Sequence, residues 1–332
     1  MDGLVKLGVV GAGAMGVRHM ELIRAHTGCR LVGVCDADSA RRSVAASYQV
    51  PFHESVQELI CRERPEGVVI ATPNTDHART AEICADASVH VLIEKPIADT
   101  LDQAQRIVDA AKRCGIAVLI GHHRRHNPLV QKARELVQGG AIGKLVGVSV
   151  LWALLKPADY FETAWRRACP GGGPLLINMI HELDSLRFIC GGVRRVCAQM
   201  ASNARGFEVE DSLSISLGFE NGALGTILAS DATPAPWSYE ITTAENPMYF
   251  HANENCSHFL GTRGSLAFPR MQLWRYADDT RRGWCHSMVC SALDVAQADP
   301  LGTQLDHFCR VVRGEEAPLV SAEEGTRSLA LT

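Results

Sequence analysis

The chain has 332 residues, 46% of them hydrophobic, with a net charge of −4 from 33 basic and 37 acidic side chains; this supports two ordinary globular domains with sizeable cores and excludes a disordered chain. The charges are mixed along the sequence and form no extended basic surface for counterion release, so nucleic acid is not expected as a partner. No apolar run approaches the ~20 residues that span a bilayer, and "LVKLGVVGAGAMG" at the N-terminus reads as strand and glycine turn rather than signal peptide, so a soluble, cytoplasmic protein without membrane association is expected.

In chain order, "LVKLGVV" reads as a strand that runs into "GAGAMG", followed by a helical pattern from Val17 to about His26. Gly11 permits the tight turn, Gly13 lets a pyrophosphate approach the backbone, and Gly16 allows close helix packing. Ala14 and Met15 complete the loop, and the helix N-terminus supplies partial positive charge. The second strand, "RLVGVCD", closes on Asp36, about 20 residues after Gly16, where an acid accepts both ribose hydroxyls of NAD and repels the 2′-phosphate of NADP. NAD is therefore preferred over NADP. Arg41 and Arg42 follow, either as solvated helix residues or as groups that tolerate the extra phosphate.

The strands "GVVIAT", "HVLIEKP" and "AVLIGHH" alternate with amphipathic segments such as 101–113. That rhythm is the signature of βαβ units, and it predicts a Rossmann dinucleotide-binding domain over residues 1–121. Thr72, Pro73 and Asn74 lie at the C-terminal end of a parallel strand, where they can border the nicotinamide end of the cofactor; alternatively they form a turn chosen for shape alone. Glu94, Lys95 and Pro96 occupy the same sheet edge. A lysine there can hydrogen-bond a substrate oxygen as an ammonium and exchange its proton, once burial and a cationic nicotinamide lower its pKa from about 10.4.

In "GHHRRHNP", His122, His123 and His126 have no acid or cysteine at ligand spacing, so no metal site is expected. Asn127 and Pro128 form an N-cap and N1 pair for a helix to about Gln138. Of Arg124 and Arg125, one is expected to brace the domain hinge by salt bridges and the other to face the cleft. Beyond residue 144 the strand patterns crowd together, as in "KLVGVSVLWALL", "RRVCAQM", "LSISLGF" and "ALGTILAS". Glu220, Asn221 and Gly222 between the last two signal a hairpin. A second α+β domain with an open, mostly antiparallel sheet is expected over residues 122–332, its exposed face favouring a homodimer or homotetramer. Arg166 follows Trp165, and is either stacked on it at the surface or directed at a polyhydroxylated or carboxylated ligand.

"GGGPLLINMIHELD" starts a helix at Pro174, with Leu175, Leu176, Met179, Ile180, Leu183 and Leu186 along one broad apolar side. His181 lies in a neighbouring row, one turn after Ile177 and three residues before Asp184. The aromatic and amide-rich segment 236–266 is expected to cover a substrate. The 12 cysteines are scattered with no C-x-x-C pair, which indicates neither zinc knuckle nor redox motif and predicts mostly small, buried, reduced thiols.

Taken together, "GAGAMG", "ATPNTDHA" (71–78), "EKPIA" (94–98), "GHHRRHNP" (121–128), "GGGPLLINMIHELD" (171–184) and the C-terminal "LDHFCRVVRGEEAPLVSAEEGTRSLAL" resemble the successive signatures of the Gfo/Idh/MocA family, the glucose-fructose oxidoreductase and inositol dehydrogenase group. The resemblance covers essentially the whole chain. It implies a Rossmann domain, a second α/β domain whose sheet makes an oligomer interface, and NAD(P)-dependent oxidation or reduction at a carbinol carbon.

By resemblance, Lys95 is the leading catalytic group and His181 the proton acceptor. His123, Arg124, Arg166 and Asn178 stand with them near the substrate. Glu94 belongs to the cofactor site, and His77, opening the next helix, either touches the cofactor or caps and packs that helix. The family pattern D-x-x-x-H has Ile177 in place of its acid here, which leaves His181 a weaker base unless Asp184 or Asn178 substitutes. The expected function is a dehydrogenase of a sugar, cyclitol or related polyhydroxy compound, or of a hydroxylated carboxylate. The alternative from another class is a catalytically idle dinucleotide-binding sensor. The chain stops inside the family's last helix, which is expected to be shortened.

Overall fold

The computed structural model describes residues 3–169, 171–278 and 280–332. These form two compact units, Met1–His126 with Asp299–Ala330, and Asn127–Ala298 with Leu331–Thr332.

The first unit opens with β1 (Val5–Val10), α1 (Ala14–Ala25), β2 (Cys29–Cys35), α2 (Arg42–Ser47), β3 (Phe52–His53), α3 (Val56–Glu63) and β4 (Gly67–Ile70). It continues with α4 (His77–Asp86), β5 (His90–Ile93), α5 (Leu101–Cys114) and β6 (Val118–Ile120). All six strands are parallel, in the order β3-β2-β1-β4-β5-β6. Strands such as β4 and β6 are buried at every position, as a sheet covered on both faces requires. Local signals set the helix ends. The Thr100 side chain accepts the Gln103 amide at the start of α5, Lys112 and Arg113 fall in its last turn, and Gly115 follows in the left-handed region. Ser55 and Glu58 open α3 in the same way.

The second unit contains α6 (Pro128–Gln138), β7 (Leu145–Leu155), α7 (Ile180–Cys190), β8 (Val193–Ala201), β9 (Ser212–Phe219), β10 (Leu224–Ser230), β11 (Ala232–Trp237) and α8 (Tyr239–Thr242). Strands β12 (Ser257–Gly261), β13 (Ser265–Phe268), β14 (Gln272–Tyr276) and β15 (Met288–Ala292) complete it. Its sheet runs β15-β14-β13-β12-β7-β10-β9-β8, with β11 also on β7. Every pairing is antiparallel except that of β10 with β7. The expected hairpin joins β9 to β10, with Gly222 at φ +87° and Asn221 Oδ1 accepting the Ala223 amide at 3.0 Å.

The last two helices, α9 (Pro300–Val312) and α10 (Ala322–Leu329), return to the first unit. This corrects the division expected at residues 121 and 122, which assigned everything that follows to a second domain. Their apolar residues Leu305, Phe308, Cys309 and Ala322, with Val320 of the connection between them, belong to the first unit's core, where Phe308 is fully buried. The thiols depart from expectation too: six of the 12 are buried, whereas Cys61, Cys169, Cys197, Cys285 and Cys290 are exposed.

Candidate active site

The strand order of the first unit reverses between β1 and β4, and α/β sheets take ligands at the carboxyl ends of the strands beside such a switch point. The glycine loop lies there. Gly11 has φ +95°, and a Cβ on it would stand 2.5 Å from the Ala71 carbonyl oxygen. A Cβ on Gly16 would lie 1.8 Å from the Gly11 carbonyl oxygen. Gly13 is the opposite case: its backbone is extended, and a Cβ would meet no described atom within 4 Å. The loop is thus closed against the protein at two glycines and open at the third. Ala14 and Met15 are exposed, and α1 begins at Gly13 with no side-chain cap, so its first amides keep their donor capacity.

Asp36 follows β2 and stands beside this loop. Its Oδ2 accepts the Ala12 amide at 2.6 Å and its Oδ1 the Asp38 amide at 2.8 Å. Thr72, after β4, holds a buried hydroxyl with no hydrogen-bond partner among the described residues. A Gly13 gap, a carboxylate on one side and an orphaned hydroxyl on the other fit the pyrophosphate, ribose and nicotinamide portions of a dinucleotide. Pro73 is exposed and Asn74 half-buried on the same edge. Because Gly13 has room and unstrained backbone, Gly13→Ala is expected to leave the thermal midpoint unchanged yet weaken NADH binding by at least about tenfold. Fluorescence titration and calorimetry check this, and unchanged binding would make the loop a mere turn.

Lys95 and Glu94 follow β5. Glu94 is buried, with Oε1 2.7 Å from His19 Nε2 on α1 and Oε2 accepting the Lys95 backbone N–H at 3.2 Å. Burial alone would raise its pKa, but the His19 hydrogen bond and the neighbouring His19, His123 and Lys95 outweigh that and bring it down to about 2. The Glu94 carboxylate thus holds the Lys95 backbone from inside the protein, at the sheet edge where the sequence places the cofactor. Since the folded pKa lies below the ordinary 4.5, this group contributes stability that is complete above pH ~4.5 and lost as pH falls toward ~2. Glu94→Gln should remove that portion of the acid transition in melting temperatures recorded against pH.

Lys95 is half-buried. His77, the first residue of α4, sets Nδ1 3.0 Å from the Pro96 carbonyl and Nε2 3.0 Å from the Thr72 carbonyl. Burial lowers its pKa despite both carbonyls. Its ring braces the Thr72 loop against the Lys95–Pro96 segment, the packing role that the sequence offered beside a cofactor contact.

Beyond β6, residues His123–His126 form a 3₁₀ turn. Arg125 is buried and pairs with Glu324 of α10 at 3.1 Å, so the brace is to the C-terminal helix. Arg124 is buried as well, and His123 half-buried. His126 packs its ring 5.3 Å from His307, and burial, then the His307 charge, pushes its pKa down to about 3.

In the second unit the Gly172 and Gly173 turn has no room for side chains. A Cβ on Gly173 would lie 2.5 Å from the Glu210 carboxylate, which accepts the Leu175 amide at 2.7 Å. The helix does not start as a regular α-helix: Leu175–Met179 is a π-helical turn that feeds α7. A π turn bonds i to i+5 and is wider than an α turn, so Ile177 is not the strict one-turn neighbour of His181 that α-helical spacing predicts. Helix α7, His181 and Asp184 included, is buried on every side rather than along one.

Asn178 Oδ1 accepts Lys156 Nζ at 2.8 Å, and Nζ lies 3.1 Å from Asp231 Oδ2. Lys156 follows β7 and Asp231 follows β10, the two parallel neighbours, and Arg205 Nε joins Asp231 at 3.3 Å. Burial lowers the Lys156 pKa, and Asp231 opposes the shift. Sequence reading missed this buried lysine; the ionisable residue closing the apolar run "VSVLWALLK" was its only signal. Arg166 stacks at 4.1 Å on Tyr160, closer than on Trp165 at 5.7 Å, and Nη1 donates to the Tyr160 carbonyl at 2.9 Å.

Residues 5–122 match the family model GFO_IDH_MocA, described as an oxidoreductase family with NAD-binding Rossmann fold, and residues 130–267 match the GFO/IDH/MocA C-terminal domain. The chain belongs to the GFO/IDH/MocA family. The rhizopine catabolism protein MocA of Rhizobium meliloti is 30% identical over 187 residues, 56% of this chain and 57% of that protein. Inositol 2-dehydrogenase of Rubrobacter xylanophilus is 33% identical over 235 residues, 67% of this chain and 64% of that enzyme. The chain therefore spans less than two thirds of the length of either relative. The WlbA dehydrogenase from Bordetella pertussis, solved with NADH and UDP-GlcNAcA, shares the fold with a TM-score of 0.78 at 24% identity, over 99% of this chain and 94% of that one. Within GFO/IDH/MocA terms, the glycine loop, Asp36, Thr72 and Lys95 share one sheet edge in the first unit. Asn178 and His181 share one helical segment in the second.

Proposed function

We propose that the protein is an NAD-dependent oxidoreductase acting on a secondary alcohol of a sugar, cyclitol or related polyhydroxy compound. The observation that carries this is the gap at Gly13 between Asp36 and the orphaned Thr72 hydroxyl, with Lys95 on the same strand edge. Bound NAD supplies the acceptor for a hydride from the carbinol carbon. The chain's own groups handle the rest. Asp36 selects NAD over NADP by charge. Lys95, as an ammonium, donates to the substrate oxygen and settles its developing charge, while Glu94 holds the Lys95 backbone through its N–H. His181 takes the hydroxyl proton. Ile177 stands where the family pattern has an acid, and the π turn sets it off the strict one-turn spacing from His181. The cyclitol in the name of the related inositol 2-dehydrogenase supports the substrate class.

Among the described residues no helix is long and apolar enough to cross a membrane. Leu224, Leu228, Val146 and Leu260 are exposed on the second unit's sheet, which supports a homo-oligomer. Anaerobic incubation with NAD and a panel of polyols, sugars and hydroxy acids, followed at the NADH absorbance, tests the assignment. NADH should form with at least one of them. Inactivity across the panel with NAD binding retained would favour the second reading, a dinucleotide sensor, to which Ile177 lends support.

A further inference from the structure

At the opposite end of β2 from Asp36, about 20 Å along the strand, three metal-ligating side chains converge and a carboxylate stands beside one of them. His26 caps the C-terminus of α1, and Cys29 opens β2 after a short turn. Asp306 and Cys309 lie three residues apart on α9, hence on one face of that helix. The donor atoms of His26, Cys29 and Cys309 lie within 4.8 Å of one another, and Asp306 Oδ1 is 3.6 Å from His26 Nε2. We propose that His26, Cys29, Asp306 and Cys309 form a binding site for a zinc-type divalent cation that ties α9 to the α1–β2 turn.

The donor set is two thiols, an imidazole and a carboxylate, a combination suited to a tetrahedral ion. Bonds of about 2.0–2.3 Å place such donors about 3.4–3.8 Å apart, so His26, Cys29 and Cys309 need to close by about 1 Å while Asp306 turns from His26 onto the ion. Cys29 and Cys309 are buried, with their sulfurs within 4.8 Å of each other. His26 and Asp306 are the more exposed pair and give the ion its way in.

Electrostatics agree with this arrangement. Two thiolates and a carboxylate exceed a divalent ion by one negative charge. Arg310 pairs with the other oxygen of Asp306, and Arg313, which donates to the Gly28 carbonyl at 2.9 Å, adds a second cation beside the thiols. His26 Nδ1 accepts the Gly28 amide at 2.9 Å, which leaves the ring proton on Nε2 toward Asp306. On binding, the ion takes the Nε2 lone pair, that proton moves to Nδ1, and the Gly28 amide turns away at a residue without a side chain. The two thiol protons pass to solvent as the metal–sulfur bonds form. The pattern escapes sequence reading because it is split into H-x-x-C and D-x-x-C halves at the two ends of the chain, which is why no metal was expected.

The test uses the full-length chain, stripped with chelator under reducing conditions and titrated with Zn2+ against a chromophoric competitor, and with Co2+ to read thiolate-to-metal absorption. One equivalent should bind, with affinity reduced at least about tenfold in Cys309→Ser and in the double variant His26→Gln/Asp306→Asn. The double variant alters the exposed pair and keeps the buried thiols, so it guards against a folding defect in Cys309→Ser. Cys169→Ser, at an exposed thiol remote in sequence from the cluster, should bind as the parent does. Equal binding by parent and both variants, no bound equivalent in the parent, or recovery of Cys29 and Cys309 as a disulfide from freshly prepared protein would each overturn the site.

Discussion

Replacing Lys95 with methionine should lower turnover by about 10²–10⁴-fold, the range a positioned proton-transfer group supplies, while NADH affinity stays within about threefold. Methionine keeps most of the side-chain volume and removes the ammonium. The backbone of residue 95 stays held, because its N–H is bound by the Glu94 carboxylate, itself fixed by His19. The glycine loop and Asp36, which are expected to bind the dinucleotide, follow β1 and β2 and do not depend on the lysine side chain. A loss confined to kcat and kcat/KM, with cofactor binding preserved, marks a group that acts on the substrate oxygen. Equal turnover in variant and parent would remove Lys95 from the mechanism.

His181→Ala should likewise reduce turnover by about 10²–10⁴-fold with little change in NAD affinity. His181 sits on a helix that is buried all round, so alanine also leaves a cavity; His181→Gln separates the two effects, since it fills the space without supplying a base. Added imidazole should restore part of the rate to the alanine variant alone. The pH profile carries further information. The limb assigned to His181 reads the charges around its ring, and Ile177 stands where the family pattern has an acid that would favour the imidazolium. Ile177→Asp should move that limb upward. A parent limb well above the ordinary value would mean that a buried group such as Asp184 already takes the part of the missing acid.

Much of this was legible from local chemistry. Gly11, Gly13 and Gly16 announce the dinucleotide loop because each glycine answers a separate steric demand. Asn127–Pro128 and Glu220–Gly222 state their cap and hairpin within a few residues. Strand β3 escaped notice because two residues carry no periodicity. The Arg125–Glu324 pair, the return of α9 and α10, and the Lys156–Asp231–Asn178 group were invisible for a different reason: their partners are far apart in sequence and meet only through tertiary packing. The exposed thiols were missed similarly. Cys197 has apolar neighbours in the chain, but it lies on β8, an end strand of its sheet that is exposed along most of its length. At Leu175–Met179 the residues themselves favour an ordinary helix, and the π turn appears only where Glu210 engages the first amide of that turn.

The most direct measurement follows the hydrogen itself. The most active polyol or sugar of the panel, carrying deuterium on the reacting carbinol carbon, is incubated with the protein and NAD in ordinary water, and the NADH produced is examined by mass spectrometry. The NADH formed should carry one deuterium, with a primary isotope effect on its appearance. Unlabelled NADH, with the deuterium lost to solvent, would contradict hydride transfer from the carbinol and with it the proposed function.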